Sequence, residues 1–214
     1  MCWNQDVSIN TFVFSCFSLL FIYFSNTFTK YKITFFNNPL FYLLFLEIAS
    51  MQLIEFFLWR NLKDKYINHI LSKLASLLII VQQITLLFII PNETIKYSML
   101  LLYAFCLILY KCFYKVNAYT TIGKNGHLAW EWANYKGYEL LWLLMWLFFY
   151  IVPLLFINNF LLSIFTIPIL ILSLFYYEYK TFGTVWCWAI NLSLFYFLID
   201  ILILQPYLEY NGVC

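Results

Sequence analysis

At 214 residues, with 64% hydrophobic, 23% aromatic and only 10% charged side chains, this chain is far short of the roughly 25% charge of a water-soluble domain. A fold of this length could not hide so much apolar surface from water, so its solvent is lipid; a mean hydropathy of +0.83 agrees. The net charge is only +2 and no basic stretch is interleaved with aromatics, which excludes nucleic acid as a partner.

Residues 1–8 lack the basic stretch and small-residue cleavage site of a signal peptide, so the first apolar run is expected to be retained. Seven runs follow, at about 9–28, 40–59, 67–90, 94–114, 138–157, 160–176 and 182–204. Each has close to the roughly 20 residues that a helix needs to cross the hydrocarbon core. The expected fold class is therefore all-α: one transmembrane domain over residues 1–214, a polytopic membrane helix bundle of about seven transmembrane helices. The division between the fifth and sixth runs rests on Asn158-Asn159 alone; without it there are six spans, one of them broken or re-entrant. Pro39, Pro91 and Pro206 punctuate span ends, whereas Pro153 and Pro168 fall inside spans five and six and should kink or bound them.

Lysine and arginine set the orientation. With seven spans, the face bearing the N-terminus also carries Arg60, Lys63, Lys65, Lys111, Lys115, Lys124, Lys136 and Lys180, with Lys73 close by; the other face has only Lys30, Lys32 and Lys96. The positive-inside rule then predicts a cytosolic N-terminus, and the Asn92-Glu93-Thr94 sequon falls on the opposite side. The one substantial loop, 115–137, contains Asn125-Gly126, the strongest short hairpin signal because both turn positions need positive φ. A β-hairpin over about 119–132 is expected between helices 4 and 5, lying on the membrane face. Trp130 and Trp132 would dip into the interface while Glu131 faces water.

Span two, LFYLLFLEIASMQLIEFFLW, carries Glu47, Gln52 and Glu55. Carboxylates in a span are costly and normally face a partner or a wet cavity. Glu47 lies about 10 Å in from the face opposite the N-terminus, at the depth of Gln82 and Gln83, with Asp200 a little nearer that face. Depth therefore allows a cluster of Glu47, Gln82 or Gln83, and Asp200. Glu55, nearer the N-terminal face, has Lys73 at matching depth as an ion-pair partner, with Glu139 nearby. Asn191, one turn from Cys187 in span seven, is deep enough to need a hydrogen-bond partner.

Several classes are excluded. The six cysteines are scattered, without CxxC spacing, and the two histidines, His69 and His127, form no HExxH, so no metal site is expected. There is no GxSxG, no lysine in span seven for a retinal Schiff base, and no TVGYG filter. No catalytic residue and no cofactor is assigned. His127, Glu131 and Glu139 would serve a lipid-modifying enzyme only by converging at the interface.

The opening Met1-Cys2-Trp3-Asn4, the MQLIEFFLW of span two, the NGHLAWEW from Asn125 to Trp132 and Trp186-Cys187-Trp188 resemble a group of uncharacterised multi-pass membrane proteins of giant DNA viruses of the mimivirus kind. The resemblance is spread over most of the chain. It implies a viral or host-cell membrane and carries no activity and no residue roles.

The leading expectation is binding or translocation of a small solute, proton or lipid through a cavity beside span two. Glu47, Gln52, Glu55, Gln82, Gln83, Asn191 and Asp200 are its candidates. The alternative is a non-enzymatic membrane-organising or interaction protein that presents the 119–132 loop, with His127, Trp130, Glu131, Trp132 and Glu139 at the interface. The partners implied are the bilayer, a small ligand, proton or lipid, and further copies of the chain.

Overall fold

A computed structural model describes residues 4–113, 118–131, 139–157, 160–176 and 180–212. The helices are α1 (Gln5–Phe28), α2 (Pro39–Arg60), α3 (Lys65–Ile89), α4 (Glu93–Phe113), α5 (Glu139–Phe156), α6 (Phe160–Tyr176) and a final interrupted run, α7 (Phe182–Tyr210). Two short strands, β1 (Thr120–Ile122) and β2 (Leu128–Trp130), pair antiparallel between α4 and α5. The fold is an all-α helix bundle with one small hairpin. α1, α2, α3, α7 and the Glu93–Cys112 stretch of α4 are long and apolar enough to cross a membrane; Leu143–Phe156 and Thr166–Phe175 are shorter apolar helices.

The first four helices start on a common local device, a side-chain oxygen that accepts orphan N–H groups. Asn4 caps α1 through Asp6 and Val7, Asn38 caps α2 ahead of Pro39, Asp64 caps α3 through Tyr66 and Ile67, and Asn92 caps α4 through Ile95. Pro153 and Pro168 lie inside α5 and α6. Pro206 does not end the last helix as expected. The preceding residues, Asp200–Leu204, widen into a π-helical turn in which Gln205 N–H bonds to Asp200 O, and the helix continues over Gln205–Tyr210. A proline cannot donate to the turn below it, and a widened turn accommodates its ring.

The packing is the reverse of a water-soluble bundle. On α1 the large apolar Val13, Phe17, Leu20, Phe24 and Phe28 face outward, while Ser8, Ser15, Ser18, Leu19, Ile22 and Ser25 are buried. Small residues on the inner stripe let α1 approach α2 closely, which is how helices associate in lipid. α2 is the hub, packed on α1, α3 and α7. α4 is peripheral and exposes Leu101, Phe105 and Ile108; it is tied to the rest by Gln83 of α3. That amide donates to Trp146 O of α5 at 2.9 Å and accepts from the Tyr103 hydroxyl of α4 at 2.6 Å.

Gln83→Leu should therefore loosen α4 and α5 together. The expected loss is about 1–2 kcal/mol, since intramembrane hydrogen bonds average well under 1 kcal/mol each but the freed Tyr103 hydroxyl stays buried. Thermal unfolding of the purified protein in detergent measures it.

Candidate functional site

The loop between α4 and α5 does not lie on the membrane face. Its hairpin is inserted into the end of the bundle, with His127, Leu128, Ala129 and Trp130 all buried. Hydrogen bonds across the ladder fall at Tyr119/Glu131 and Gly123/His127, which leaves the backbone groups of Thr120, Leu128 and Trp130 pointing outward from the two-stranded sheet. Each is met from a helix. Asn68 of α3 faces the Thr120 peptide, accepting its N–H at 3.0 Å and donating to its C=O at 2.9 Å. Ser72, one turn further on, bonds the Thr120 hydroxyl at 2.7 Å. On the other edge, Lys180 O takes the Trp130 N–H at 3.0 Å, and Thr184 of α7 donates to Leu128 O at 3.3 Å while accepting the Trp130 indole N–H at 2.9 Å.

The connection is not a two-residue turn centred on Asn125-Gly126. Gly126 N–H bonds to Gly123 O, so Lys124-Asn125 are the central turn residues and Gly126, at φ 77°, supplies the left-handed position after them. Asn125 then pins the tip to α7, donating to Thr181 Oγ1 at 2.8 Å. Gly123 is needed for closeness here: a Cβ on it would lie 2.8 Å from Thr181 Cγ2. Trp130 is thus a core residue and not an interfacial anchor, Glu131 is ion-paired with Lys180, and Trp132 lies outside the described residues.

The opposite end is closed by different chemistry. Between α1 and α2 a 3-10 turn, Thr34–Asn37, turns Phe35 and Phe36 inward. They pack on Phe41, Phe45 and Phe197 with ring centroids 3.8 to 6.1 Å apart. Again an asparagine completes the backbone: Asn26 accepts the Ile33 N–H at 2.8 Å and donates to Ile33 O at 3.0 Å. Lys30 and Tyr31 both bind Glu209, and Gln205 donates to Lys32 O, which clamps this turn to the end of α7.

Between the two closed ends lie the acids of α2. Glu47 accepts from the Thr85 hydroxyl of α3 at 2.8 Å, and its second oxygen has no partner. Glu55 accepts from the Gln52 amide at 3.2 Å, and its second oxygen likewise has none. Among the described residues, no cation meets either acid. Lys73, the expected partner of Glu55, is exposed; at about 100° per residue it stands off the inward stripe formed by Asn68, Ser72 and Ala75. Tyr150 of α5 and Cys187 of α7 are buried in the same core as α2.

The expected cluster of Glu47 with Gln82, Gln83 and Asp200 does not assemble. Gln83 faces α4 and α5. Gln82 is buried without a partner among the described residues. Asp200 belongs to the π-helical turn and accepts from Gln205 at 3.2 Å. Asn191 does find partners, donating to Cys187 O at 2.8 Å and accepting from Ser15 of α1 at 2.6 Å, where α7 is interrupted. His127 and Glu131 sit four residues apart on an extended strand, about 13 Å, and the Glu139 side chain lies outside the described residues; no acid–base group forms from the first two. Burial pushes the His127 imidazole below its ordinary range.

A small void near Glu47, lined by residues such as Leu44, Ile48 and Trp186, has about 10 Å³ of room for a water-sized sphere and an apolar wall, so it stays dry. Larger grooves of about 430 and 380 Å³ lie between α1 and α7 and are lined by neither acid. Thr85, Tyr150 and Thr184 are the site residues that sequence reasoning passed over. Thr181 and Thr184, three apart in an apolar run, were the available signal, since paired threonines at helical spacing mark a hydrogen-bonding face.

Asn68→Leu leaves the Thr120 N–H and C=O buried and unpaired, at a cost of about 2–4 kcal/mol. Gly123→Val forces the tip away from Thr181. Both variants should raise proteolytic cleavage within 120–130 while the rest of the bundle stays resistant, as limited proteolysis with mass spectrometry would record.

Comparison with protein-family models, with curated proteins and with solved structures finds no match.

Proposed function

We propose that the protein moves protons, or a small solute together with a proton, across its membrane along α2, and that the closed bundle is the occluded state of that cycle. The observation that carries this reading is the pair Glu47 and Glu55: two buried acids on one helix, which among the described residues face no cation and each keep one oxygen unpartnered, and each beneath a closed end. Acids built only to lock a bundle are expected to saturate their hydrogen bonds, because the hydrocarbon offers no substitute for a missing partner. Acids that must gain and release a proton need a spare site on the carboxyl group.

Eight residues separate Glu47 from Glu55, about 12 Å along the helix, too far for direct transfer. Tyr150 and Cys187, buried in the same core as α2, carry exchangeable hydrogens. Transfer between the acids needs water or side-chain movement, which opening either end would admit. Glu47 is the site nearer the aromatic closure and Glu55 the one nearer the hairpin. The resemblance to multi-pass proteins of giant DNA viruses supports a viral or host-cell membrane as the proposed location, and the lysine and arginine bias supports a cytosolic hairpin end.

Proteoliposomes carrying a trapped pH dye test the reading. Under an imposed potential the wild-type protein should acidify or alkalinise the lumen well above empty vesicles. Glu47→Gln and Glu55→Gln should each reduce that rate by roughly tenfold or more, as expected of intramembrane proton sites. Flux equal to empty vesicles, or flux indifferent to both substitutions, would leave the acids as bundle locks.

A further inference from the structure

α1 and α7 are tied together at two levels. Ser15 bonds Asn191 at 2.6 Å in the interior, and Lys30 and Tyr31, just past the end of α1, bind Glu209 near the end of α7. Between these ties, where α7 widens into its π-helical turn, a groove of about 380 Å³ separates the two helices. Its walls are Phe21, Phe24 and Phe28 on α1 and Ile201, Leu202 and Pro206 on α7. Phe24, Phe28 and Leu202 are more than half exposed, so the groove opens sideways to lipid. From Phe21 to Phe28 it runs about 10 Å along the helix, which suits the upper part of one acyl chain.

The mouth of the groove, lined by Thr29 and Tyr31, is charged. α1 has 24 residues, about 36 Å, so its end reaches headgroup level across a hydrocarbon core of about 30 Å. Lys30 and Glu209 neutralise each other there. Lys32 and Asp200 do not: neither has an ion-pair partner among the described residues. One amide holds the two residues side by side. Gln205 gives one hydrogen to Lys32 O at 3.1 Å and the other to Asp200 Oδ2 at 3.2 Å. Asp200 is half-buried within the apolar run DILIL, where a carboxylate normally faces a partner, and the Lys32 side chain is exposed. An unpaired cation and an unpaired carboxylate thus flank the entrance to a hydrocarbon slot.

We propose that this groove is a binding site for a zwitterionic phospholipid with a primary ammonium, as in phosphatidylethanolamine, in the leaflet at the C-terminal end of α1. The phosphate sits against Lys32, the ammonium donates to Asp200, and one acyl chain fills the groove. Lysine meets a phosphate as a point charge. A primary ammonium has three hydrogens to give and a trimethylated one has none, so Asp200 distinguishes ethanolamine from choline. Lys30, Lys32, Asp200 and Glu209 together carry no net charge, which suits a zwitterion better than an anionic lipid. The other groove in this seam, about 430 Å³, supplies a contrast: none of the described residues lining it is charged, so it accepts hydrocarbon without reading a headgroup. The ethanolamine groove is lined by neither Glu47 nor Glu55, and the site is independent of the proton path.

Native mass spectrometry of the full-length protein, delipidated in detergent, tests this. The titrants are dioleoyl phosphatidylethanolamine, its dimethylated and trimethylated (choline) forms, and dioleoyl phosphatidylglycerol. The first ethanolamine lipid should bind roughly tenfold or more tighter than the choline lipid, the scale of one hydrogen bond to a charged group. The dimethylated form should fall between them, and phosphatidylglycerol should bind no better than choline. Asp200→Asn can still accept from Gln205, and it should erase the ethanolamine preference while leaving choline binding unchanged. Lys32→Ala should weaken every zwitterionic form, and Leu202→Trp, which fills the groove from its lipid side, should abolish the tight first binding. Equal binding of all headgroups, tighter binding of phosphatidylglycerol, or an ethanolamine preference that survives Asp200→Asn overturns the proposal. Lys32→Ala and Leu202→Trp alter exposed side chains, so they decide it even if Asp200→Asn does not fold: ethanolamine binding unchanged in both overturns it.

Discussion

Backbone that enters a bilayer away from a helix has no water to bond to, and two asparagines resolve that problem for this protein. Asn68 faces the peptide of Thr120, and Asn26 that of Ile33, each giving one hydrogen bond and taking one. A side-chain amide has the same donor and acceptor as a peptide group, so it can stand where a neighbouring strand would stand. Non-helical chain is tolerated at membrane depth only where protein satisfies it. Both ends of the bundle depend on that substitution: remove either amide, and a loop that now closes the interior becomes a segment with bare polar groups.

Closing both ends has an electrostatic consequence for α2. With no cation against either among the described residues, Glu47 and Glu55 sit where an ionised carboxylate would cost several kcal/mol. The bundle tolerates them because each is matched to a neutral donor, the Thr85 hydroxyl and the Gln52 amide. Hydrogen bonds between helices in lipid are individually weak, so these contacts are poor value as glue. Gln83 shows what a dedicated structural amide looks like here, with both ends bonded across three helices. The acids are not finished in that way, and the difference separates a tether from a candidate proton site.

The membrane class, the helix positions and the existence of a hairpin were legible in the sequence, since length, apolar runs and Asn-Gly report local physics. Placement of the hairpin was not. Trp130 and Glu131 alternate as an interfacial strand would, and nothing local distinguishes an indole in the headgroups from one donating to Thr184. Depth counting brought Glu47 to the level of its true partner's helix but selected Gln82 and Gln83 over Thr85, because it carries no information on which face of α3 turns inward. It failed for Lys73 for the same reason: matched depth is not matched azimuth. Asn191 was recognised as needing partners, yet that they are Ser15 and Cys187 follows from the interruption of α7, which no proline or glycine at that position announces.

The two closures differ in what could release them. The end beneath Glu47 is shut by stacked rings of Phe35, Phe36, Phe41 and Phe197 and clamped from outside by Lys30, Tyr31 and Glu209. Ring stacking is indifferent to the protonation of a carboxyl group below it. The hairpin end is held by directional hydrogen bonds from Asn68, Ser72 and Thr184. Such bonds are lost one at a time when a donor or an acceptor is removed, whereas stacked rings yield only when the helices that carry them move apart.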